Sequence, residues 1–433
     1  MTPSRPRLFK HGLVVILAAL LAGSMWFYFL RILVPYERAD AATHDRPRGN
    51  LSDLYPRWFG SRELLLHHRN PYRPEITREI QAGYYGRILD ANRPGDPKDQ
   101  QAFAYPAYVA FLLAPTVTLP FERVRAGFGW LLAVLTAASV WLWLRALRWQ
   151  PSSTAMAVIL ILSFGSFPVI QGLRLQQLSL LVAFLLAAAA VLLLRGQSFL
   201  AGVVLALATI KPQLVAPLLL CLFLWVVADW AERRSLMRGF AVTMALLVGG
   251  AEFLLPGWIA DFRGAMRDYY HYAGGQSALD LLLSPDLGRP AAIVVVCMLL
   301  WTWWRLRRTD SRPQDLALLF TLTLAATLIV IPTFASYNQV LLLPALFVLL
   351  GERHKLWKRG SWARAVCVLV LGVLGWPWVG SASLALAALV LSPGTVQRGW
   401  QIPLATTPAI PFACLLLLVP VVAEAWRRPV HSG

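Results

Sequence analysis

The chain has 433 residues, of which 58% are hydrophobic and 14% charged, with a mean hydropathy of +0.57. A soluble domain carries about 25% charged residues, so an ordinary cytosolic enzyme is excluded, and the apolar excess excludes a disordered chain. The net charge of +18 would suggest nucleic acid in a soluble protein. Here the bases lie between apolar runs and record membrane topology, so no nucleic-acid partner is expected.

A bilayer core of about 30 Å needs roughly 20 apolar residues per helix. The first run, Gly12 to Val34, follows Arg5, Arg7 and Lys10. It is too long for the apolar part of a signal peptide and reads as an uncleaved first transmembrane helix over 13–34, with its N-terminus inside. A long polar segment, rich in Arg, Asp, Pro and Tyr, follows from Pro35 to Phe103. Tyr105 to Pro120 is apolar but holds Pro106, Pro115 and Pro120, which oppose a straight spanning helix, so it is expected to be re-entrant or juxtamembrane. The whole of 35–125 then forms one extracytoplasmic loop.

Further apolar runs lie near 126–147, 153–171, 178–194, 199–210, 213–228, 239–256, 291–304, 315–332, 339–350, 362–380 and 408–426, making twelve with the first. The expectation is a single all-α polytopic domain over 1–433, with a helix bundle over 126–426 and both termini cytoplasmic. That orientation leaves twenty Lys and Arg in the inner segments against six in the shorter outer ones. The cysteines, Cys221, Cys297, Cys367 and Cys414, all fall in apolar runs without ligand spacing, so neither disulfides nor a zinc site is expected.

This topology puts several polar interruptions outside: Gln171 to Gln177, Lys211-Pro212-Gln213, the 257–290 loop, and Ser336-Tyr337-Asn338. Lys211 stands midway through the apolar stretch 199–228. A charge there is costly unless it faces a cavity or a partner. It is also compatible with a snorkelling lysine at a Lys-Pro hairpin, and the residues alone leave both open.

The chain resembles glycosyltransferase family 87, membrane enzymes that use polyprenyl-phosphate sugars. Asp53-Leu54-Tyr55-Pro56-Arg57-Trp58-Phe59 running to Asn70-Pro71-Tyr72 is similar to the family's segment after its first helix, which opens Asp-Phe and ends Asn-Pro-Tyr. Phe103-Ala104-Tyr105-Pro106-Ala107, with Leu113-Ala114-Pro115 and Leu119-Pro120-Phe121, resembles its Phe-x-Tyr-Pro-Pro segment. Gln177-Leu178-Ser179-Leu180-Leu181 resembles Gly-Gln-x-Asn-x-Leu-Leu, and Leu200-Ala201-Gly202 to Lys211-Pro212 resembles the stretch that ends in Lys-Pro. Gln276-Ser277-Ala278-Leu279 and Ser336-Tyr337-Asn338-Gln339 to Pro344 complete six matches in order over about residues 10–350. There are departures. Leu54 replaces Phe, Ala107 the second Pro, Gln176 the Gly before Gln177, and the late segment lacks its His, with Tyr337 or Asn338 nearby instead.

The resemblance implies a GT-C-type fold and inverting, metal-independent transfer from a polyprenyl-phosphate sugar, mannose first, to a hydroxyl of a glycolipid or glycan. It implies no cofactor. Such chemistry needs a carboxylate to take the acceptor proton and cations to hold the departing phosphate. By resemblance Asp53 is the catalytic base; by residue type alone it reads first as a helix cap. Glu63 is the second candidate carboxylate, otherwise a solvated helix face. Lys211, Arg57 and Arg62 are candidate phosphate contacts, though the two arginines also suit anionic headgroups. Gln177, Gln276, Ser277, Tyr337 and Asn338 are candidate substrate contacts, or else polar links between helices.

The sequence offers no Asp-x-Asp metal pair and no glycine-rich nucleotide loop. His67-His68 and Tyr269-Tyr270-His271 lack ligand spacing for a metal and read as surface or interfacial residues. Low Lys with high Arg, Trp and Ala suits a GC-rich bacterium, hence a bacterial plasma membrane. A transporter or flippase of lipid-linked sugars is the rival reading, although the second half shows no counterpart of the long polar segment, as a repeated architecture would require. A purely structural membrane partner is a third, but it would not need Lys211 within an apolar stretch.

Overall fold

The computed structural model describes residues 5–48, 51–273, 275–307, 313–332 and 334–427, and every regular element among them is helical. The first helix is longer than its apolar run. Arg5–Phe27 passes through a π turn at Tyr28–Leu33 into Val34–Thr43 without a break. Pro35 does not end it. The widened turn lies just before the ring that removes a backbone donor, and local widening of this kind accommodates such a residue.

Among the described residues, six helices have the length and apolarity to cross a membrane, or up to seven if the bent pair Ser153–Phe164 and Phe167–Arg174 counts as one span. Length and composition therefore support about half of the twelve spans expected from the apolar runs. Four further apolar helices are shorter than a span: Leu178–Leu194, Ser198–Ala208, Pro212–Val227 and Asp315–Val330. The stretch 199–228 shows why. Pro212 starts a new helix and Lys211 sits in the turn before it, so one apolar run becomes two short helices. The outward faces carry bare apolar side chains, including Phe253 at 88%, Val390 at 83% and Trp362 at 82% exposure. Exposure of so many large apolar side chains fits lipid rather than water.

Between 105 and 120 the chain forms only the five-residue helix Val109–Leu113 and a 3-10 turn at Ala114–Thr116. Five residues rise about 7.5 Å, a quarter of the bilayer core, so this helix is too short to span it alone. Its place beside the membrane-length helix Phe121–Ala146 is set by aromatic packing. Trp58 donates its indole N–H to the Thr116 carbonyl at 3.1 Å, and its ring lies 5.3 Å from that of Phe121.

The long polar segment is ordered around Leu54–His67 and Pro74–Tyr85. Its irregular stretch 86–108 is held by Arg87, which pairs with Asp96 and also donates to the Asp45 and His44 carbonyls at 2.8 and 3.1 Å. Inside the bundle, Ser198–Ala208 packs on Trp230–Leu254 with backbones nearly touching. A Cβ on Gly202 would lie 2.1 Å from the Leu236 carbonyl oxygen, and one on Gly239 would lie 2.0 Å from that of Phe199. Small residues permit this approach where the lipid supplies no hydrophobic drive for helix association.

Candidate active site

A cavity of about 410 Å³ opens where the polar segment meets the broken helices. Its wall takes Asp53, Pro56 and Arg57 from the start of Leu54–His67, and Asp99 to Pro106 from the irregular stretch. The Lys211-Pro212-Gln213 break with Ile210, the helix Trp258–Ala273, Gln276 and Leu281, and the late turn at 334–338 supply the rest.

Asp53 stands at the cap position of Leu54–His67 but makes no capping bond. Its neighbour does that work: Ser52 Oγ accepts the Leu54 N–H at 3.2 Å and donates to Gln176 Oε1 at 2.6 Å. The Asp53 carboxylate is thereby left free for other partners. Oδ2 accepts from Gln177 Nε2, and Oδ1 accepts the Tyr84 hydroxyl at 3.3 Å. Complete burial, added to the charge of Asp53, holds the Tyr84 phenol well above its ordinary range, so it stays a donor.

Lys211 is 3% exposed. It donates to Gln177 Oε1 at 2.8 Å and to Ser179 Oγ at 2.7 Å, and lies 4.8 Å from the centre of the Tyr337 ring. An ammonium has three protons; two are committed, and the residue lines the cavity. Ser179 passes the chain on, donating to Asn338 Oδ1 at 2.7 Å. Pro212 and Gln213, the first residues of the following helix, are also in the wall, which brings the positive end of that helix to the cavity.

Arg57 is 7% exposed, and its guanidinium carbon lies 4.0 Å over the Tyr105 ring. Its Nε and Nη1 find no hydrogen-bond partner among the described residues. A buried guanidinium with spare donors is costly unless an anion completes it.

Of the residues expected at the site, the fold brings Asp53, Arg57, Lys211, Gln276, Tyr337 and Asn338 into the wall, with Gln177 directly behind Asp53. It does not bring the others there. Arg62, one turn beyond Trp58, stacks at 5.5 Å over that indole. Ser277 is committed to a capping box: its Oγ accepts the Asp280 N–H at 3.0 Å, while its own N–H donates to Asp280 Oδ2 at 2.8 Å. Glu63 is bonded by Arg69 at 2.8 Å and meets His67 at 3.1 Å, away from the cavity wall.

Sequence reasoning missed Asp99, Ser179 and the aromatic lining. Tyr269, expected at the surface, faces the cavity with Tyr272, whereas His271 is exposed. The spacing of Phe262, Met266 and Tyr269 puts them on one face of Trp258–Ala273, a signal available from the sequence. Among the described residues, no three His, Cys, Asp or Glu side chains converge as a metal site would require.

In the late segment Tyr337 lies under Lys211 and Asn338 receives Ser179, so these two stand beside the cation. Gln176, which by resemblance stands where the family has Gly, adopts φ 47°, the left-handed region where glycine is at ease, and its amide is used to hold Ser52.

No curated protein and no solved structure matches the chain. The family model for glycosyltransferase family 87 matches residues 103–332, more than half of the chain. The match begins after Asp53, so the placement of that carboxylate opposite the matched elements rests on the geometry above. With its all-helical, lipid-facing architecture and the matched span covering the cation break, the chain belongs to glycosyltransferase family 87 and is a membrane glycosyltransferase.

Proposed function

We propose that the protein moves a sugar, mannose first, from a polyprenyl-phosphate donor to a hydroxyl of a glycolipid or glycan, with inversion and without a metal. The observation that carries this reading is the single cavity in which Asp53 lies with two cations, Arg57 and Lys211. A buried positive pair suits a phosphate leaving group, and an accepting carboxylate suits the proton of the attacking hydroxyl.

In this reading the acceptor oxygen attacks the anomeric carbon from the side opposite the phosphate, and Asp53 takes its proton as the bond forms. Gln177 and Tyr84 hold the carboxylate in one orientation. The spare donors of Arg57 and the third proton of Lys211 meet the phosphate oxygens as negative charge gathers there. A single displacement with one carboxylate at the reacting carbon inverts the configuration. Gln276, Tyr337 and Asn338 contact the sugars from the wall. The excess of Lys and Arg in the alternate segments supports cytoplasmic termini and an extracytoplasmic 35–125 loop in a bacterial plasma membrane, with the short apolar helices completing spans in pairs or by bending.

The test is transfer from a short-chain polyprenyl-phosphate-mannose to a glycolipid extract by purified wild type and by Asp53→Asn. Loss of an acid-base group lowers transfer by about a hundred- to ten-thousandfold, and that loss is expected in a variant that still folds. Equal rates remove Asp53 from the chemistry. No transfer by wild type with any polyprenyl-linked sugar rejects the donor class.

A further inference from the structure

The cavity holds a second carboxylate that the proposed transfer does not use. Asp99 lies in the irregular stretch after Pro74–Tyr85 and lines the same wall as Asp53. Its two oxygens are each bonded once: Oδ1 accepts the Gln101 backbone N–H at 3.0 Å, and Oδ2 accepts Gln101 Nε2 at 2.8 Å. Gln101 takes φ 53°, in the left-handed region that a side chain seldom adopts, and this conformation turns both of its donors onto the one carboxylate. The loop is pinned on either side. The Tyr85 hydroxyl donates to the Asp99 carbonyl at 2.9 Å, and Gln81 Nε2 donates to Gln100 Oε1 at 2.8 Å.

Among the described residues no cation comes within ion-pair distance of Asp99. Each oxygen therefore keeps a free lone pair in a fixed direction, next to Tyr269 and Tyr272. An anion is repelled from such a place. A neutral group with adjacent hydroxyls is not, since a fixed carboxylate accepts two O–H donors and an aromatic wall packs the apolar face of a sugar ring. The donor sugar is one bond from the phosphate that the cations hold. The acceptor end is neutral, which fits it to the part of the cavity carrying the extra negative charge.

We propose that Asp99 is a positioning residue that accepts hydroxyls of a neutral sugar acceptor and orients it toward Asp53. This rests on the transferase reading above. The titratable and charged groups near enough to act on it are Asp53, Arg57, Tyr84, Tyr85, Tyr269 and Tyr272. Burial has the largest influence on its carboxyl and raises it; the Gln101 N–H bond opposes this. The Asp53 charge adds to the rise, Arg57 works against it, and the carboxyl is pushed up to about 6. It is an acceptor of two hydroxyls only when ionised, above that pH.

The experiment uses the full chain in lipid nanodiscs, short-chain polyprenyl-phosphate-mannose as donor, and the best acceptor from a panel of octyl glycosides. Acceptor KM, donor KM and kcat are measured from pH 5 to 8 for wild type and Asp99→Asn. The expected result is a rise of about tenfold or more in acceptor KM for Asp99→Asn, with donor KM and kcat within about threefold of wild type. Wild-type acceptor KM is expected to rise as pH falls through 6, and that dependence to vanish in the variant. An unchanged acceptor KM overturns the proposal. So does a collapse of kcat at unchanged KM, which would make Asp99 the proton acceptor. Should Asp99→Asn not fold, a wild-type acceptor KM that is flat between pH 5 and 8 overturns it on its own. Absence of any wild-type transfer is a different outcome, because it removes the transferase reading itself.

Discussion

Asp53 and Lys211 are joined through one amide: Gln177 Nε2 donates to Asp53 Oδ2 while Gln177 Oε1 accepts from Lys211 at 2.8 Å. A lysine ammonium can only donate, so the amide oxygen must face it and the NH2 must face the carboxylate. The opposite charges are thus connected without forming an ion pair. A direct pair would turn Asp53 toward Lys211 and engage the proton intended for phosphate. Replacing Gln177 by Met removes the spacer at similar volume. The expected outcome is a fall of about a hundredfold in kcat, the size associated with a reacting group displaced by about 1 Å, with donor KM little changed. Steady-state kinetics of transfer check it, and an unaltered kcat would show that the bridge does not matter.

Arg57 gives a second prediction. Its guanidinium is held flat on Tyr105 and keeps unpartnered donors. Arg57→Lys retains the charge but loses both the fork and the stacking plane. Charge-assisted hydrogen bonds contribute about 1.5–3 kcal/mol, so donor KM is expected to rise about tenfold or more in Arg57→Lys and further in Arg57→Gln. Donor titration by initial rates separates this from any change at the acceptor.

Gln176 tests the reading of the departure from the family pattern. Its left-handed backbone favours Gly, while its side chain ties down Ser52 next to Asp53. Gln176→Gly relieves the backbone but loses two hydrogen bonds, from Ser52 and to the Leu173 carbonyl, each effect about 1 kcal/mol, so a net loss of about 1 kcal/mol is expected. Gln176→Val keeps the strain, adds a branched Cβ and loses the same two bonds, and is expected to cost about 2–4 kcal/mol. Thermal unfolding in detergent ranks the three proteins; a Gly variant less stable than the Val variant would reject the account.

The close approach of Gly202 and Gly239 predicts steric failure rather than lost chemistry. Both built Cβ positions fall on backbone carbonyls, which cannot rotate away as a side chain end would. Gly202→Leu and Gly239→Leu are each expected to destabilise by about 1–3 kcal/mol, as overpacked interiors do. Their transfer rates should return toward wild type at lower temperature, a recovery that a loss of Arg57 or Gln177 would not show.

The membrane class, the helical architecture and the break at Lys211 were legible along the chain, because hydropathy, helix breaking and a charge inside an apolar run are local properties; Asp53 came forward only through the family resemblance. Pro212 ends one helix and begins another whatever surrounds it, so the Lys211 break could be read without a fold. The number of full spans was not legible in the same way. An apolar run records burial or lipid contact but not whether its helix is straight, and 153–171 bends by 55°.

What the tertiary structure alone decided is which polar groups meet. Asp53 reaches Gln177 across 124 positions of sequence, and Ser179 reaches Asn338 across 159. Ser277 resembled a substrate contact in the one-dimensional pattern, yet its hydroxyl caps the helix that starts at the next residue, accepting the N–H of Asp280. Asp99 carried no motif, and only the closure of the polar segment against Trp258–Ala273 turned it toward a cavity. The physical reason is the same throughout. Propensity and hydropathy act between neighbours in sequence, whereas a site is made by long-range contacts whose energies depend on every element that closes around it.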